Sequence, residues 1–255
     1  MTVLKEKLLS GQKIFGTMIR VIRNPALCYI AKNSGLDFVM YDCEHSDYNM
    51  ETLHDLFITG NALGLESFLR VPNLSKDYIS RALDQGARGV MNPMTETSEM
   101  ASELVKYSKY QPIGRRGFSG GIAHVDYDMT RKHFEVMEKA NNTIITIAQI
   151  ETKLSVDNAE AIAATPGIDA LLIGPNDLSI SLGIPGDFFN PIELDAIAHV
   201  AAACKKNQKA FGMHAGAKLL EKFNDDLSLV MMQTDIDVLT AGFTNIKQTC
   251  ANLSK

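Results

Sequence analysis

Two carboxylates in this chain each stand where an apolar run gives out. Ile144–Ile150 (IITIAQI) leads directly into Glu151, and Ala170–Gly174 (ALLIG) breaks at Pro175-Asn176 before Asp177. The two acids lie 26 positions apart, about the length of one strand–helix–strand unit. If the runs are parallel neighbours in a sheet, both acids emerge at the strands' C-terminal edge, where parallel α/β enzymes place their chemistry. Paired carboxylates with no His or Cys beside them suit a hard divalent cation that keeps positions open for substrate oxygens. The competing reading makes each acid a helix cap, Glu151 for a helix starting near Lys153 and Asp177 for the next one.

The other strand ends supply further groups. The second strand ends in Asp42-Cys43-Glu44-His45, the third in Arg70, the fifth in Gln149-Ile150-Glu151 and the seventh in His214. His45 is flanked by acids, and an imidazole held by a carboxylate is fixed in one tautomer and made more basic, as proton transfer requires. His214 reads as a satisfied structural histidine. Arg70 sits between Leu69 and Val71, where an unpaired guanidinium is costly; its alternative reading is an ordinary surface ion pair. No lysine falls on this rim, since Lys13 and Lys209 lie at strand beginnings, so a Schiff-base mechanism lacks its amine. Neither a G-x-S-x-G elbow nor an H-E-x-x-H helix is present. Metal-assisted chemistry on an oxygen-rich substrate remains.

These residues need a frame that turns strand ends toward one another. Eight short β-branched runs alternate with helical patterns: 14–21, 38–43, 66–71, 89–94, 144–150, 170–174, 210–214 and 227–233. Helical periodicity marks 24–34, 50–63, 76–85 and 97–107 between them, with Ser75 and Thr97 at N-cap positions. Gly35, Gly64, Gly86 and Gly167 follow helical segments where a left-handed cap favours glycine. This count predicts a (β/α)8 barrel, read as one domain over 1–255. A doubly wound open sheet is the runner-up, but no GxGxxG follows the first strand. Two stretches exceed the plan. Gln111–Asp128 is too long for a routine turn and reads as a candidate active-site loop. A final helical segment, Asp235–Asn252, should pack beside the first helix or reach onto a neighbouring subunit.

A net charge of −5 argues against nucleic acid or an anionic membrane as partner. No apolar stretch approaches a membrane span, and the N-terminal residues show no signal-peptide pattern. Four scattered cysteines without CxxC spacing fit a reducing cytoplasm.

Several segments together resemble the HpcH/HpaI aldolases. They are Asp42-Cys43-Glu44-His45, Arg70-Val71-Pro72, Leu83-Asp84-Gln85-Gly86-Ala87, Gly114-Arg115-Arg116-Gly117, Gln149-Ile150-Glu151-Thr152, Gly167-Ile168-Asp169-Ala170 and, above all, Ile173-Gly174-Pro175-Asn176-Asp177-Leu178-Ser179. The resemblance runs in order from about residue 10 to 212. It implies a metal-dependent (class II) lyase that cleaves a 4-hydroxy-2-oxo acid to pyruvate and an aldehyde, as in aromatic or sugar-acid catabolism. It further implies that Glu151 and Asp177 hold Mg²⁺, Mn²⁺ or Co²⁺ and that Gln149, Gly174, Asn176 and Asp177 meet the substrate. Arg70 would stabilise the enolate, and His45 would act as base with Asp84 or Asp42 raising its basicity. The implied fold is a (β/α)8 barrel of the phosphoenolpyruvate/pyruvate type, in a homo-oligomer (hexamer or trimer) whose last helix, within 235–255, swaps onto a neighbour. The sequence departs from the family where Asn176 replaces a common Ala and beyond Arg116, which leaves the acceptor aldehyde open. Three readings compete: an oxaloacetate decarboxylase or other pyruvate-enolate lyase, a non-catalytic 2-oxo acid binding protein, and a phosphosugar enzyme, the last lacking a glycine-rich phosphate loop.

Overall fold

The computed structural model of the protein describes residues 3–253; the outermost residues of the expected domain, 1–2 and 254–255, lie outside the described residues. Eight strands form: β1 (Ile14–Ile19), β2 (Phe38–Asp42), β3 (Glu66–Arg70), β4 (Gly89–Asn92), β5 (Ile145–Ile150), β6 (Ala170–Ile173), β7 (Ala210–His214) and β8 (Leu229–Thr234). They pair in parallel, in chain order, and β8 pairs back onto β1, closing the barrel. That closing pair excludes the doubly wound sheet. Most strands end a residue or two short of the apolar run that announced them, because an apolar run continues into the buried turn beyond the last ladder bond.

Alternation along each strand builds two apolar layers. Phe38, Met40, Phe68, Met91, Ile147 and Leu172 fill the barrel's interior, while Val39, Tyr41, Leu69, Val90, Ala148 and Leu171 face the helices. Phe38 and Phe68 stack at 4.9 Å across the interior, and a Cβ on Gly16 would stand 2.4 Å from the Phe38 ring. Truncating Phe68 to alanine would empty that interior at a cost of about 3–5 kcal/mol.

The helices are α1 (Val3–Leu9), α2 (Ala26–Asn33), α3 (Met50–Leu63), α4 (Lys76–Asp84), α5 (Ser98–Ser108), α6 (His133–Thr143), α7 (Lys153–Asp157), α8 (Ala159–Ala164), α9 (Pro175–Ser181), α10 (Pro191–Lys206), α11 (Ala217–Lys222) and α12 (Asp235–Leu253). Thr97 accepts from Met100 N as an N-cap, whereas Ser75 occupies the N-cap position of α4 without a side-chain bond. Sequence periodicity did not announce α1, whose seven residues are too few for a pattern. Leu4 and Leu8 join the interior cluster at the strands' N-terminal end, and Lys5 Nζ bonds Ile144 O at 2.8 Å and Asp169 Oδ2 at 2.9 Å. The barrel is thereby closed at that end and open only at the other.

The last helix behaves differently from the rest. Only Asp235 of α12 is buried; Ile236, Val238, Phe243 and Ile246 are exposed. The Asp235 carboxylate accepts the backbone N–H groups of Arg20, Val21 and Ile22 at 3.0, 2.9 and 2.9 Å, which ties the start of α12 to the loop after β1. Beside it, on the outer face of β1 and β8, an apolar groove of about 510 Å³ is lined by Phe15, Ile19, Leu27, Ile30, Leu220 and Val230.

Candidate active site

The open end of the barrel gathers the acids the sequence set at strand ends. Glu151 follows β5 directly and is 1% exposed. Its Oε1 accepts Met94 N–H at 2.7 Å and its Oε2 accepts Gln149 Nε2 at 2.5 Å. Burial, with Glu44 and Asp177 close by, pushes the Glu151 carboxyl up to about 7, against the pull of the Met94 N–H and Arg70. Asp177 lies one residue further into α9 than Asn176, behind Pro175 at the helix's first position. Neither Glu151 nor Asp177 appears as the bound cap of a helix: Thr152 caps α7 through Ser155 N, and Gly174 precedes α9 with no side-chain cap.

Arg70, at the end of β3, is 6% exposed and pairs with two acids. Its Nε and Nη2 meet Asp42 Oδ1 and Oδ2 at 2.9 and 2.8 Å, and its Nη1 meets Glu44 Oε2 at 2.8 Å. Burial alone would raise the Asp42 carboxyl, yet the bonds and charge of Arg70, with the N–H groups of His45 and Glu44, hold it below its ordinary value. Arg70 Nη2 also lies 3.8 Å from Met18 Sδ, so of the five N–H groups on a guanidinium one, on Nη1, is left for a substrate oxygen. Arg20 Nε stands 3.3 Å from Asp42 Oδ2, a second cation on the rim that sequence reading passed over because the Met18-Ile19-Arg20-Val21 run looks like strand.

His45 is half exposed, and the carboxylate beside its ring is Glu44, with 3.8 Å between Nε2 and Oε2. Asp42 reaches His45 only at its backbone N, at 3.4 Å. Asp84 does not meet His45 within this chain: it ends α4 and pairs with Arg116, Nη2 to Oδ1 at 2.6 Å. The reason is directional. Helices that follow strand ends run back toward the strands' N-terminal end, so the last residue of α4 lies at the end opposite the acids. The same reasoning relocates Gln111–Asp128. It joins the far end of α5 to α6 and β5, packs a short 3-10 turn (Ala123–Val125) against α4, and stays away from its own barrel's rim. His214, as its structural reading had it, donates from Nε2 to Gln233 O at 3.0 Å, and burial lowers its pKa.

A divalent cation fits this donor set. Asp42, Glu44, Glu151 and Asp177 against Arg20 and Arg70 leave a formal excess of two negative charges around one rim. The Gln149 side-chain oxygen is buried with no hydrogen-bond partner. A Cβ on Gly174 would lie 2.5 Å from Glu151 Oε2 and 2.7 Å from Gln149 Nε2, so the backbone there is held close against the acid by the absence of a side chain. No set of three His, Cys, Asp or Glu forms a metal site among the described residues; two carboxylates would leave the remaining positions to water and substrate oxygens.

Comparison with known proteins gives a concordant picture. The family model for HpcH/HpaI aldolase/citrate lyase matches residues 21–238. A 4-hydroxy-4-methyl-2-oxoglutarate aldolase of Hapsidospora irregularis is 32% identical, over 94% of this chain and 91% of its own. A 5-keto-4-deoxy-D-glucarate aldolase of Klebsiella pneumoniae is 33% identical over 76% of this chain and 75% of its own. The crystal structure of an HpcH/HpaI aldolase from Desulfitobacterium hafniense superposes with a TM-score of 0.92 at 29% identity, covering 97% of this chain and 96% of that one.

Proposed function

This chain belongs to the HpcH/HpaI aldolase/citrate lyase family, and on that premise we propose how it works as an aldolase that releases pyruvate from a 4-hydroxy-2-oxo acid. The observation that carries the reading is the rim itself: two strand-end carboxylates with open coordination, a paired arginine beside them and a histidine at the solvent edge. Glu151 and Asp177 would hold a divalent ion, Mg²⁺, Mn²⁺ or Co²⁺. Bound there, the ion supplies Lewis-acid stabilisation for charge that develops on the keto oxygen. Gln149 and the backbone at Gly174 and Asn176 orient the 2-oxo acid, with the free Gln149 oxygen set against a polar neighbour. Arg70, held flat by Asp42 and Glu44, presents its remaining Nη1 N–H where the enolate oxygen forms, an interaction that strengthens as the C3–C4 bond breaks. His45 takes the proton of the C4 hydroxyl, directly or through water, and Glu44 orients its ring. The aldehyde leaves toward solvent on the His45 side, and the proton taken from the C4 hydroxyl is returned to C3 of the enolate, which gives pyruvate and frees His45.

The proposal extends to the assembly. The exposed apolar face of α12 and the open groove across β1 and β8 match as helix and seat, which supports a homo-oligomer in which α12 of one copy covers the groove of another. Among the described residues no helix is long and apolar enough to cross a membrane, and Cys28, Cys43 and Cys204 are buried thiols; both accord with a cytoplasmic location.

The deciding experiment assays cleavage of a panel of 4-hydroxy-2-oxo acids beside oxaloacetate, before and after exhaustive chelation. Cleavage should cease on chelation and return with added divalent metal. Faster release from oxaloacetate than from every hydroxy acid would favour the decarboxylase reading, and no turnover of any 2-oxo acid with metal present would favour a binding protein. His45→Ala should lose about 10²–10⁴-fold in turnover while keeping pyruvate affinity; cleavage at the wild-type rate would leave His45 a structural role only.

A further inference from the structure

Away from the rim, a cavity of about 190 Å³ opens between α4, α6 and the irregular 111–128 stretch. Arg88, Arg116, His124, Arg131, Glu135 and Lys139 give it its polar lining. The Arg116 side chain is fully buried and stacks over the Tyr110 ring at 4.8 Å. Only its Nη2 is paired, to Asp84; its Nε and Nη1 have no hydrogen-bond partner, and neither ring nitrogen of His124 has one. Four buried nitrogens thus face one cavity unmet, and leaving a buried donor without a partner is unfavourable, more so on a cation. Burial, with the charge of Arg116 beside it, pushes the His124 imidazole down to about 4, so the ring is neutral and offers one N–H. The acids nearby are already held: Asp84 by Arg116, and Asp126 and Asp128 by Arg131 at 3.0 and 3.2 Å. Arg88 Nε donates to Asn61 at 3.1 Å, and Glu135 stands exposed at the mouth.

We propose that this cavity is a second binding site, distinct from the catalytic rim, for one small oxyanion, a phosphate or a short carboxylate, held by the unpaired N–H groups of Arg116 and by His124. Charge-assisted bonds to a buried guanidinium are the strong ones, and an anion here satisfies donors that the chain's own acids leave unmet. It would share one guanidinium with Asp84, so occupancy sets how firmly Asp84 is held.

The test titrates the full-length, metal-free protein with inorganic phosphate and separately with succinate at constant ionic strength, by isothermal calorimetry. Saturable binding of one anion per chain is expected, and whichever probe binds tighter identifies the class. Affinity should fall about tenfold in His124→Ala, fall further in Arg116→Lys, and stay unchanged in Glu151→Gln at the rim. Absence of saturable binding in the wild-type protein, or binding that His124→Ala leaves intact while Glu151→Gln removes it, would overturn the proposal. His124 is only partly buried, so its variant keeps the test decisive even if Arg116→Lys fails to fold.

Discussion

Arg70 and Asp42 face each other in register on adjacent strands and meet edge to edge, Nε to Oδ1 at 2.9 Å and Nη2 to Oδ2 at 2.8 Å. The strand ladder itself therefore sets the plane of the guanidinium, before any substrate arrives. A flexible ammonium cannot reproduce that plane or both bonds. Arg70→Lys is expected to lower turnover by about 10²–10³-fold with a smaller change in KM. Steady-state kinetics checks this, and unchanged turnover with weakened binding would assign Arg70 to ground-state binding instead.

The raised carboxyl of Glu151 makes a pH prediction with a definite sign. In the metal-free protein the folded state keeps a proton that the unfolded chain releases near the ordinary value of 4.5, and gives it up only at about 7. The resulting stability is fully present below 4.5 and is lost as pH rises through 7. Unfolding midpoints measured across that window in chelator should fall with pH in the wild-type protein and stay flatter in Glu151→Gln. Divalent metal added below pH 7 should displace the proton, read as buffer-dependent calorimetric heat. A wild-type profile as flat as that of the variant would remove Glu151 from this role.

Gly174→Ala tests the cradle. The added Cβ would collide with Glu151 Oε2 and Gln149 Nε2, both anchored, so one of them must move. Displacements near 1 Å at a reacting centre cost about 10²-fold in rate. The variant should fold normally by circular dichroism, with turnover reduced about that much and metal affinity weakened. Wild-type kinetics would mean the acid has slack that the packing does not suggest.

The exposed helix makes an assembly prediction. Removing residues 235–255, or changing Phe243 to Glu as a milder probe, should lower the oligomer mass seen by sedimentation. Phe243 is 66% exposed, so the substitution costs an isolated subunit little. A truncated protein of unchanged oligomeric state would refute the helix–groove pairing.

The barrel was legible because β2 to β7 are buried almost entirely on both faces and read as continuous apolar runs, and because helix ends carry their glycine and polar caps. Glu151, Asp177, Gln149 and Arg70 were legible as strand-end residues, since parallel strands bring their C-terminal ends together whatever lies between. What escaped was set by contacts distant in sequence. Nothing local in Lys5 or Asp169 tells of their ion pair beneath the barrel. Asp84 and Arg116 come together at 2.6 Å at the end away from the chemistry, a fact that depends on which way α4 and α5 run and not on the motifs that contain them. Glu44 was in view beside His45, yet its position between Arg70 and the imidazole is set by β3, which brings Arg70 alongside from a distant part of the chain.

Asp235 has a consequence for how the protein behaves on dilution. Its carboxylate grips three successive amides that begin at Arg20, the residue whose guanidinium leans on Asp42 at the rim. The root of the outward helix and a wall of the reaction chamber are thus one joint. Where copies clasp one another through that helix, a tug on it is felt at Arg20, and a lone subunit loses the tension that seats it. Specific activity should then depend on protein concentration, falling as the copies part even though no group that handles the substrate has been altered.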